Sequence, residues 1–98
     1  MLDFIIKNGT VIDGTGADAR RADVGVHNGR IVLVGDLHNA QAVQVIDAGG
    51  RVVAPGFIDS HSHADISVIR TPDLESLTAQ GITTVCTGHC GMGLAPLN

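Results

Sequence analysis

Aromatic residues are nearly absent from this 98-residue chain, which has no tryptophan, no tyrosine and only two phenylalanines, Phe4 and Phe57. Any core must therefore be built from valine, isoleucine, leucine and alanine. No apolar run reaches the length that spans a membrane. With 6 Lys and Arg against 10 Asp and Glu, the chain also lacks a basic patch for nucleic acid or for a lipid surface. We therefore expect neither a nucleic-acid partner nor a membrane partner.

Cysteine is also scarce, since only Cys86 and Cys90 are present. Their C-x3-C spacing matches neither the CxxC pairs of a zinc ribbon nor those of a thiol redox motif. The first seven residues lack the basic segment followed by an apolar stretch that marks a secretory signal. We therefore expect a cytoplasmic protein with reduced thiols. Cys86 lies in a β-branched stretch and is expected to fill a core.

The first 54 residues have the pattern of short strands joined by tight turns. Asn-Gly, the strongest short signal for a two-residue hairpin, occurs between apolar segments at residues 8–9 and 28–29. Residues 48–50 indicate a further turn. Val24 and Val26 alternate with polar or small neighbours, as in an antiparallel sheet with one buried face. The predicted strands are residues 2–7, 10–12, 23–27, 30–35, 43–47 and 51–54.

Beyond Pro55 the pattern changes to strand, helix and strand. Residues 57–61 and 82–87 are largely apolar or β-branched and predict two buried strands. Residues 71–81 predict a helix, with Thr71 as its N-cap, a proline in the first helical position and a closing glycine. Such an order is typical of a parallel α/β unit, whose functional sites lie at the carboxyl ends of the strands.

The first of these two predicted strands runs into His61-Ser62-His63. In an extended chain, residues two apart point to the same side, so the two histidines are expected side by side, about 6–7 Å apart at the backbone. Two neutral imidazoles at that spacing can bind one zinc or similar divalent ion. The alternative is a pair of exposed histidines on a polar turn. The apolar strand before the pair, and the acidic and small residues after it, favour the metal site.

Other candidate site residues surround this pair. Asp59 shares the parity of the two histidines, and is expected either to orient a ligand through a hydrogen bond or to make a buried hydrogen bond of its own. Cys90 follows the second strand among glycines, where a thiolate could bind or bridge metal ions; the alternative is a small buried cysteine. His89 and Asp65 are weaker candidates for contacts with metal or substrate.

A second motif points to a different function and is rejected. Residues 14–19 match the G-x-G-x-x-A pattern of a dinucleotide-binding loop. That loop requires a helix that opens at the glycines and binds phosphate at its N-terminus, whereas residues 20–29 alternate like a strand. We therefore interpret residues 13–19 as a turn. A serine hydrolase is not supported either, because G-x-S-x-G does not occur.

Taken together, the motifs resemble the start of metal-dependent amidohydrolases. TVIDGTG at residues 10–16 and VAPGFIDSHSH at residues 53–63 carry the resemblance to the superfamily. GITTV at residues 81–85, GHCG at residues 88–91 and LAP at residues 94–96 are similar to its D-aminoacylase (N-acyl-D-amino-acid deacylase) branch. The resemblance covers the whole chain, and the His-x-His segment is specific for the superfamily.

The resemblance implies a fold in two parts, a small β-sandwich built from both chain ends and a (β/α)8 TIM-like barrel between them. The expected fold class is thus α/β with a small β-sandwich. Residues 1–54 would form the N-terminal part of that sandwich, and residues 55–98 the first strands of the barrel. A closed barrel takes about 250 residues. We therefore expect an N-terminal portion of a longer enzyme, inactive and unstable without its C-terminal part.

The same resemblance implies a chemistry. The expected reaction is hydrolysis of the amide of a small-molecule substrate, an N-acyl-D-amino acid, with one or two Zn2+ ions as cofactor. By position, His61 and His63 would bind one metal, and Cys90 would bind the tightly held zinc and be able to bridge two sites. The proton-shuttle aspartate of the family would lie beyond Asn98, so no catalytic residue is expected within this chain.

Two alternatives remain open. A cyclic-amide hydrolase of the hydantoinase or dihydroorotase type usually bridges its metals with a carbamylated lysine, and Cys90 in its glycine-rich loop favours the deacylase. The other alternative is a truncated, stand-alone metal-binding module. The chain has His89 where the deacylase branch usually has Asn, and Gly93 where it has Ser. These differences leave the metal ligands unchanged but alter the hydrogen bonding of the loop.

Overall fold

The first part of the chain folds into a mixed β-sheet. The computed structural model describes residues 1–64, 68 and 71–87. The sheet has the order β3-β2-β1-β4, and the short β5 pairs with β1 beyond the end of β4. β2 is antiparallel to β1 and β3, whereas β4 and β5 run parallel to β1. The strands are β1 Leu2–Val11, β2 Arg20–His27, β3 Arg30–Gly35, β4 Ala42–Asp47 and β5 Val52–Val53.

The predicted hairpin at Asn8 and Gly9 is wrong, because β1 runs through this pair. Asn8 does take the positive φ that the dipeptide favours, at 62°. The result is a bulge, since the pairing of β1 with β2 shifts register between Ile6 and Gly9. The Asn8 amide donates to Asp23 Oδ1 at 2.9 Å. A side chain from the neighbouring strand thus satisfies the donor at the bulge.

The second Asn-Gly pair forms the predicted hairpin. Asn28 and Gly29 have φ of 52° and 73°, both positive as a type I′ turn requires, and they join antiparallel β2 and β3. The Asn28 amide donates to Asp3 Oδ2 at 2.7 Å. The predicted turn at residues 48–50 is present as well. It leaves β4 and β5 in succession along the same edge of β1.

Apolar side chains occupy both faces of the sheet. On one face Ile5 is fully buried, at 0% exposure. Gly25, its register partner on β2, leaves room there for Leu2 and Leu37, whose Cδ1 atoms would lie 2.9 and 3.1 Å from a Cβ at this position. Ile6 points to the other face. Together with ten other residues it lines an apolar cleft of about 250 Å3. The sheet therefore differs from the prediction of one apolar face.

The second part of the chain contains the predicted parallel α/β unit. β6 (Phe57–Asp59) and β7 (Ile82–Val85) pair in parallel, and the short helix α1 (Glu75–Thr78) lies between them in sequence. A Cβ at Gly56 would collide with the side chain of Thr83, so the chain needs a glycine where it enters β6. By its contacts the chain divides into two compact units, Met1–Pro55 and a unit that begins at Gly56.

The elements of this second unit are shorter than predicted. Thr71 is not the N-cap of α1, because Leu74 holds that position with φ of 47°. The Leu74 amide donates to the Thr71 carbonyl at 2.9 Å, which makes residues 71–74 a turn before the helix. β7 stops before Cys86, and this cysteine is exposed rather than part of a core. Within the described ranges, no helix is long and apolar enough to cross a membrane.

Candidate metal site

β6 and β7 end side by side because they run in parallel. Backbone hydrogen bonds continue past both strand ends. The Cys86 amide donates to the Asp59 carbonyl at 2.8 Å, and the Ser62 amide donates to the Cys86 carbonyl at 3.0 Å. These two bonds hold the segment that follows β6 against the end of β7. The predicted common edge is therefore present.

Asp59 directs the chain out of β6. Its Oδ1 accepts a hydrogen bond from the His61 backbone amide at 3.1 Å. This local bond is the one by which aspartate stabilises a turn after a strand. The carboxylate thus sets the direction of the backbone that carries the first candidate ligand. The role of Asp59 in orienting a metal-bound ring stays a prediction.

His61 and His63 project from the same side of this segment. Both are exposed, whereas Ser62 and Ala64 are buried at 9% and 5% exposure. The ring centroids of the two histidines are 5.7 Å apart, with the planes at 79°. Two imidazoles on one tetrahedral zinc, with Zn–N distances of about 2.0–2.1 Å, have centroids about 5 Å apart. The pair therefore fits one shared divalent ion after a small movement of the rings.

Ser62 anchors the segment between the two histidines. Its hydroxyl accepts a hydrogen bond from the Ala64 amide at 3.0 Å, and its own amide is bonded to Cys86. The buried hydroxyl is thus satisfied, and the loop is tied at its midpoint to the end of β7. Ser62 was not among the predicted site residues. The available signal was that this small polar residue lies between the two candidate ligands in sequence. It therefore points to the opposite side of the segment, toward the interior.

Three predicted site residues, Cys90, His89 and Asp65, lie outside the described residues. Among the residues that the structure does describe, no group of three His, Cys, Asp or Glu side chains could hold a metal ion. The structure therefore brings together two of the three predicted ligands, His61 and His63. Cys90 as the third ligand stays a prediction.

The glycine-rich loop that follows β1 is closed by its own carboxylate. Asp13 accepts hydrogen bonds from the Thr15 hydroxyl at 2.6 Å and the Thr15 amide at 2.9 Å, and it pairs with Arg20 at 3.2 Å. These contacts, with the Thr15 hydroxyl first, lower the pKa of Asp13 to about 2. The residues after the loop begin β2 rather than a helix. The interpretation of residues 13–19 as a turn is confirmed, and the helix that a dinucleotide-binding loop requires does not follow it.

Comparisons with known proteins match both parts of the chain. The amidohydrolase family model covers residues 44–95, and the model of the urease alpha-subunit N-terminal domain covers residues 1–56. Two relatives from Alcaligenes xylosoxydans xylosoxydans are an N-acyl-D-glutamate deacylase with 54% identity and a D-aminoacylase with 50% identity. Each match covers 97% of this chain and 20% of the relative.

A solved structure shows the same relation. It is an N-acyl-D-glutamate deacylase from Bordetella bronchiseptica, complexed with zinc and a phosphonate inhibitor that mimics the tetrahedral intermediate of the reaction. It is 54% identical with a TM-score of 0.92, and the match covers 97% of this chain and 20% of that protein. The chain thus spans about a fifth of the length of the relatives it matches. Because the amidohydrolase model covers more than half of its residues, the chain belongs to the amidohydrolase family, and it is similar to the D-aminoacylase branch.

Proposed function

We propose that this chain is the N-terminal portion of a zinc-dependent amidohydrolase that acts on N-acyl-D-amino acids. The enzyme would hydrolyse their amide, a carbon–nitrogen bond other than a peptide bond, to a carboxylate and a free D-amino acid. The observation that carries the proposal is 54% identity to an N-acyl-D-glutamate deacylase over 97% of the chain. The histidine pair at the end of β6 provides the matching chemistry.

The proposed metal ligands are His61, His63 and Cys90. When bound, zinc polarises the amide carbonyl and lowers the pKa of a water ligand to about 7. Both imidazoles must be neutral and the Cys90 thiol deprotonated to bind, so metal affinity is expected to rise with pH. The bond from the His61 backbone amide to Asp59 and the Ser62 anchor fix the backbone that carries the two rings before any ion binds. Such preorganisation supports a binding role for the pair.

Residues 1–54 are proposed to form the N-terminal part of a composite β-sandwich. The apolar cleft on one face of the sheet exposes Ile31 and Val34 of β3. Contiguous apolar patches of this kind usually mark a surface that another element covers. A second sheet, from the C-terminal part of the same enzyme, would bury this face as sheets do in a sandwich.

Residues 55–98 are proposed to supply the first strands of a (β/α)8 barrel. Phe57 and Ile58 are 62% and 67% exposed, and as neighbours in β6 they point to opposite faces. Parallel sheets are almost always covered on both faces, so β6 and β7 need further strands and helices around them. We propose that this chain is inactive by itself, because the proton-shuttle aspartate of the family would come from a later strand. We also propose a cytoplasmic enzyme with no nucleic-acid or membrane partner.

The direct test is a substrate panel on the natural, zinc-loaded protein. N-acetyl-D-glutamate, N-acetyl-D-aspartate and an apolar N-acetyl-D-amino acid are compared with their L-enantiomers and with a hydantoin. Release of a free D-amino acid, without release from the L-enantiomers, is the expected result. Hydrolysis of the hydantoin alone would replace the proposal by the cyclic-amide alternative. Zinc binding without turnover of any substrate would favour the metal-binding module.

The site assignment has its own matched variants. Cys90→Ala should lose bound zinc and activity together, whereas Cys86→Ala should keep both, because Cys86 is exposed and placed at the site only through its backbone. His61→Asn should behave like Cys90→Ala. His38→Asn is its control, since His38 pairs with Asp36 on the first sheet unit. Zinc content is measured by elemental analysis beside activity, and retention of zinc in Cys90→Ala would refute the bridging role.

A further inference from the structure

The chain contains two Asn-Gly pairs with identical local chemistry but different structural settings. We propose that Asn28 is a site of spontaneous deamidation in the folded protein, whereas Asn8 is protected from the same reaction. This inference is independent of the proposed enzymatic function. It rests on the exposure and pairing of the two dipeptides.

The reaction needs only water as a co-reactant. The backbone nitrogen of Gly29 loses its proton and attacks the side-chain carbonyl carbon of Asn28. The new carbon–nitrogen bond closes a five-membered succinimide, and the bond to the side-chain nitrogen breaks with release of ammonia. Water then opens the ring at either carbonyl, which gives aspartate or isoaspartate. A glycine in the second position favours ring closure because it has no Cβ to obstruct the attack.

Asn28 and Gly29 are accessible for this reaction. Both residues are exposed at the tip of the β2–β3 hairpin, and no atom lies within 4 Å of a Cβ built on Gly29. Among the described residues, the hydrogen bond of Asn28 is the one from its backbone amide to Asp3. Its side-chain amide is therefore not held by a neighbour in that part of the chain. Hairpin tips of this kind open locally at low cost.

Asn8 and Gly9 lie in the middle of the sheet. Gly9 is buried and pairs with Ala22, and a Cβ on Gly9 would lie 2.5 Å from Val53 Cγ2. The Asn8 side-chain amide donates to Asp47 Oδ1 at 3.4 Å. β1 is hydrogen-bonded to β2, β4 and β5, so ring closure here requires the centre of the sheet to open. The reaction rate follows the population of the open state, which is smaller for such a strand than for a turn.

Deamidation at Asn28 would also act on the structure. The new carboxylate would add a second negative charge to a turn where Asp3 already accepts the Asn28 backbone amide and lies 3.6 Å from His27 Nδ1. Isoaspartate would further lengthen the backbone by one carbon, and a type I′ turn has no room for it. We therefore expect the modified protein to lose hydrogen-exchange protection in β2 and β3 first.

The test compares the two sites within one sample. The natural protein is incubated at mildly alkaline pH, both folded and in urea, and peptide mapping quantifies aspartate and isoaspartate at residues 8 and 28. In the folded protein Asn28 should react at least about tenfold faster than Asn8, since the two opening equilibria differ. In urea the two rates should converge. Equal rates in the folded protein, or faster reaction at Asn8, would overturn the proposal.

Three variants test the origin of the signal. Asn28→Gln should abolish most of the ammonia released by the folded protein, because a glutamine side chain closes a larger ring much more slowly. Asn8→Gln should leave the release almost unchanged. Asp47→Ala frees the Asn8 side chain without opening β1, so it should leave Asn8 protected; rapid deamidation there would show that the side-chain bond rather than the strand protects it.

Discussion

The sheet of β1–β5 and the strand pair β6–β7 differ in how completely they cover their own apolar side chains. Ile5 in β1 is fully buried, whereas Phe57 and Ile58 in β6 are more than half exposed. The first sheet is wide and its β3–β4 connection brings Leu37 back onto it. Over its described residues, 56–64, 68 and 71–87, the second unit has two short strands and one short helix. The proposed metal site thus lies on the unit that has no fully buried large side chain among its described residues.

The largest expected effect in this comparison is at Ile5. Ile5→Ala removes a fully buried side chain and should cost about 2–5 kcal/mol of unfolding free energy. Native-state amide hydrogen exchange in β1 and β2 measures that cost locally. Ile31→Ala, on the exposed side of β3, is the control and should stay within about 0.5 kcal/mol in the 98-residue chain. A cost for Ile31→Ala that rises in the full natural protein would show that a second layer covers this face.

Overpacking at the start of β6 is the next largest effect. Gly56→Ala places a Cβ against Thr83 and should cost about 1–3 kcal/mol, with loss of exchange protection in β6 and β7 only. Thr83→Ala removes the two nearest atoms and should partly rescue it. The control is Gly35→Ala in β3, whose Cβ would meet Leu33 at an ordinary 3.6 Å. If Gly56→Ala also loosened β1, the two units would not be independent.

Asp23 offers a test of how the bulge in β1 is stabilised. Its two oxygens accept the amides of Asn8 and Leu37, each at 2.9 Å. Asp23→Asn keeps one acceptor and should cost about 0.5–1.5 kcal/mol, because it removes a hydrogen bond to a charged group from either the exposed Asn8 amide or the part-buried Leu37 amide. Asp18→Asn, at an exposed position, is the control. Equal exchange protection in the two variants would mean that the bulge does not need the Asp23 carboxylate.

The smallest effect is the pH dependence of the loop after β1. The Thr15 hydroxyl and the Arg20 guanidinium hold the pKa of Asp13 near 2 in the folded state. Because the folded pKa is lowered, the stabilisation is present above the ordinary carboxyl range and is lost as the pH falls through about 2. The Thr15 amide shift, followed by NMR, should titrate there. Thr15→Ala should raise the pKa of Asp13 more than Arg20→Gln does; the reverse order would contradict the assignment.

The two Asn-Gly pairs show which features of a turn can be predicted from the dipeptide alone and which cannot. Positive φ at Asn8 and Asn28 could be predicted from the dipeptide, and both residues have it. Whether the chain reverses direction at each pair could not be predicted, because it depends on pairing partners distant in sequence. At Asn8 the backbone amide donates to Asp23 on one side of β1. On the other edge β4 and β5 pair with β1, so the strand continues through the bulge. At Asn28 the strands on either side are each other's partners, so the turn forms.

The candidate site was predictable in part for a similar reason. The alternation of residues 61–64 continues past the end of β6, so parity alone places both histidines on one side. The end of the strand at Asp59 and the exposure of Cys86 were not predictable. They follow from where β6 and β7 stop pairing, which is a property of two segments together. The helix is shorter than the predicted span of residues 71–81. One reason is that the Leu74 amide bonds to the Thr71 carbonyl and makes a turn of residues 71–74 instead of the first turn of the helix.

The sequence by itself determined most strand positions along the chain, the positive φ at both Asn-Gly pairs, the strand–helix–strand order after Pro55 and the parity of the two histidines, because each depends mainly on residues close together in the chain. Its motifs also carried the resemblance to amidohydrolases that the comparisons confirm. Only the tertiary structure decided that β1 passes through a bulge, that the sheet is apolar on both faces, and that Ser62 and Cys86 tie the two strand ends together. These features arise from contacts between distant segments, and their free energies are not encoded in any single window of residues.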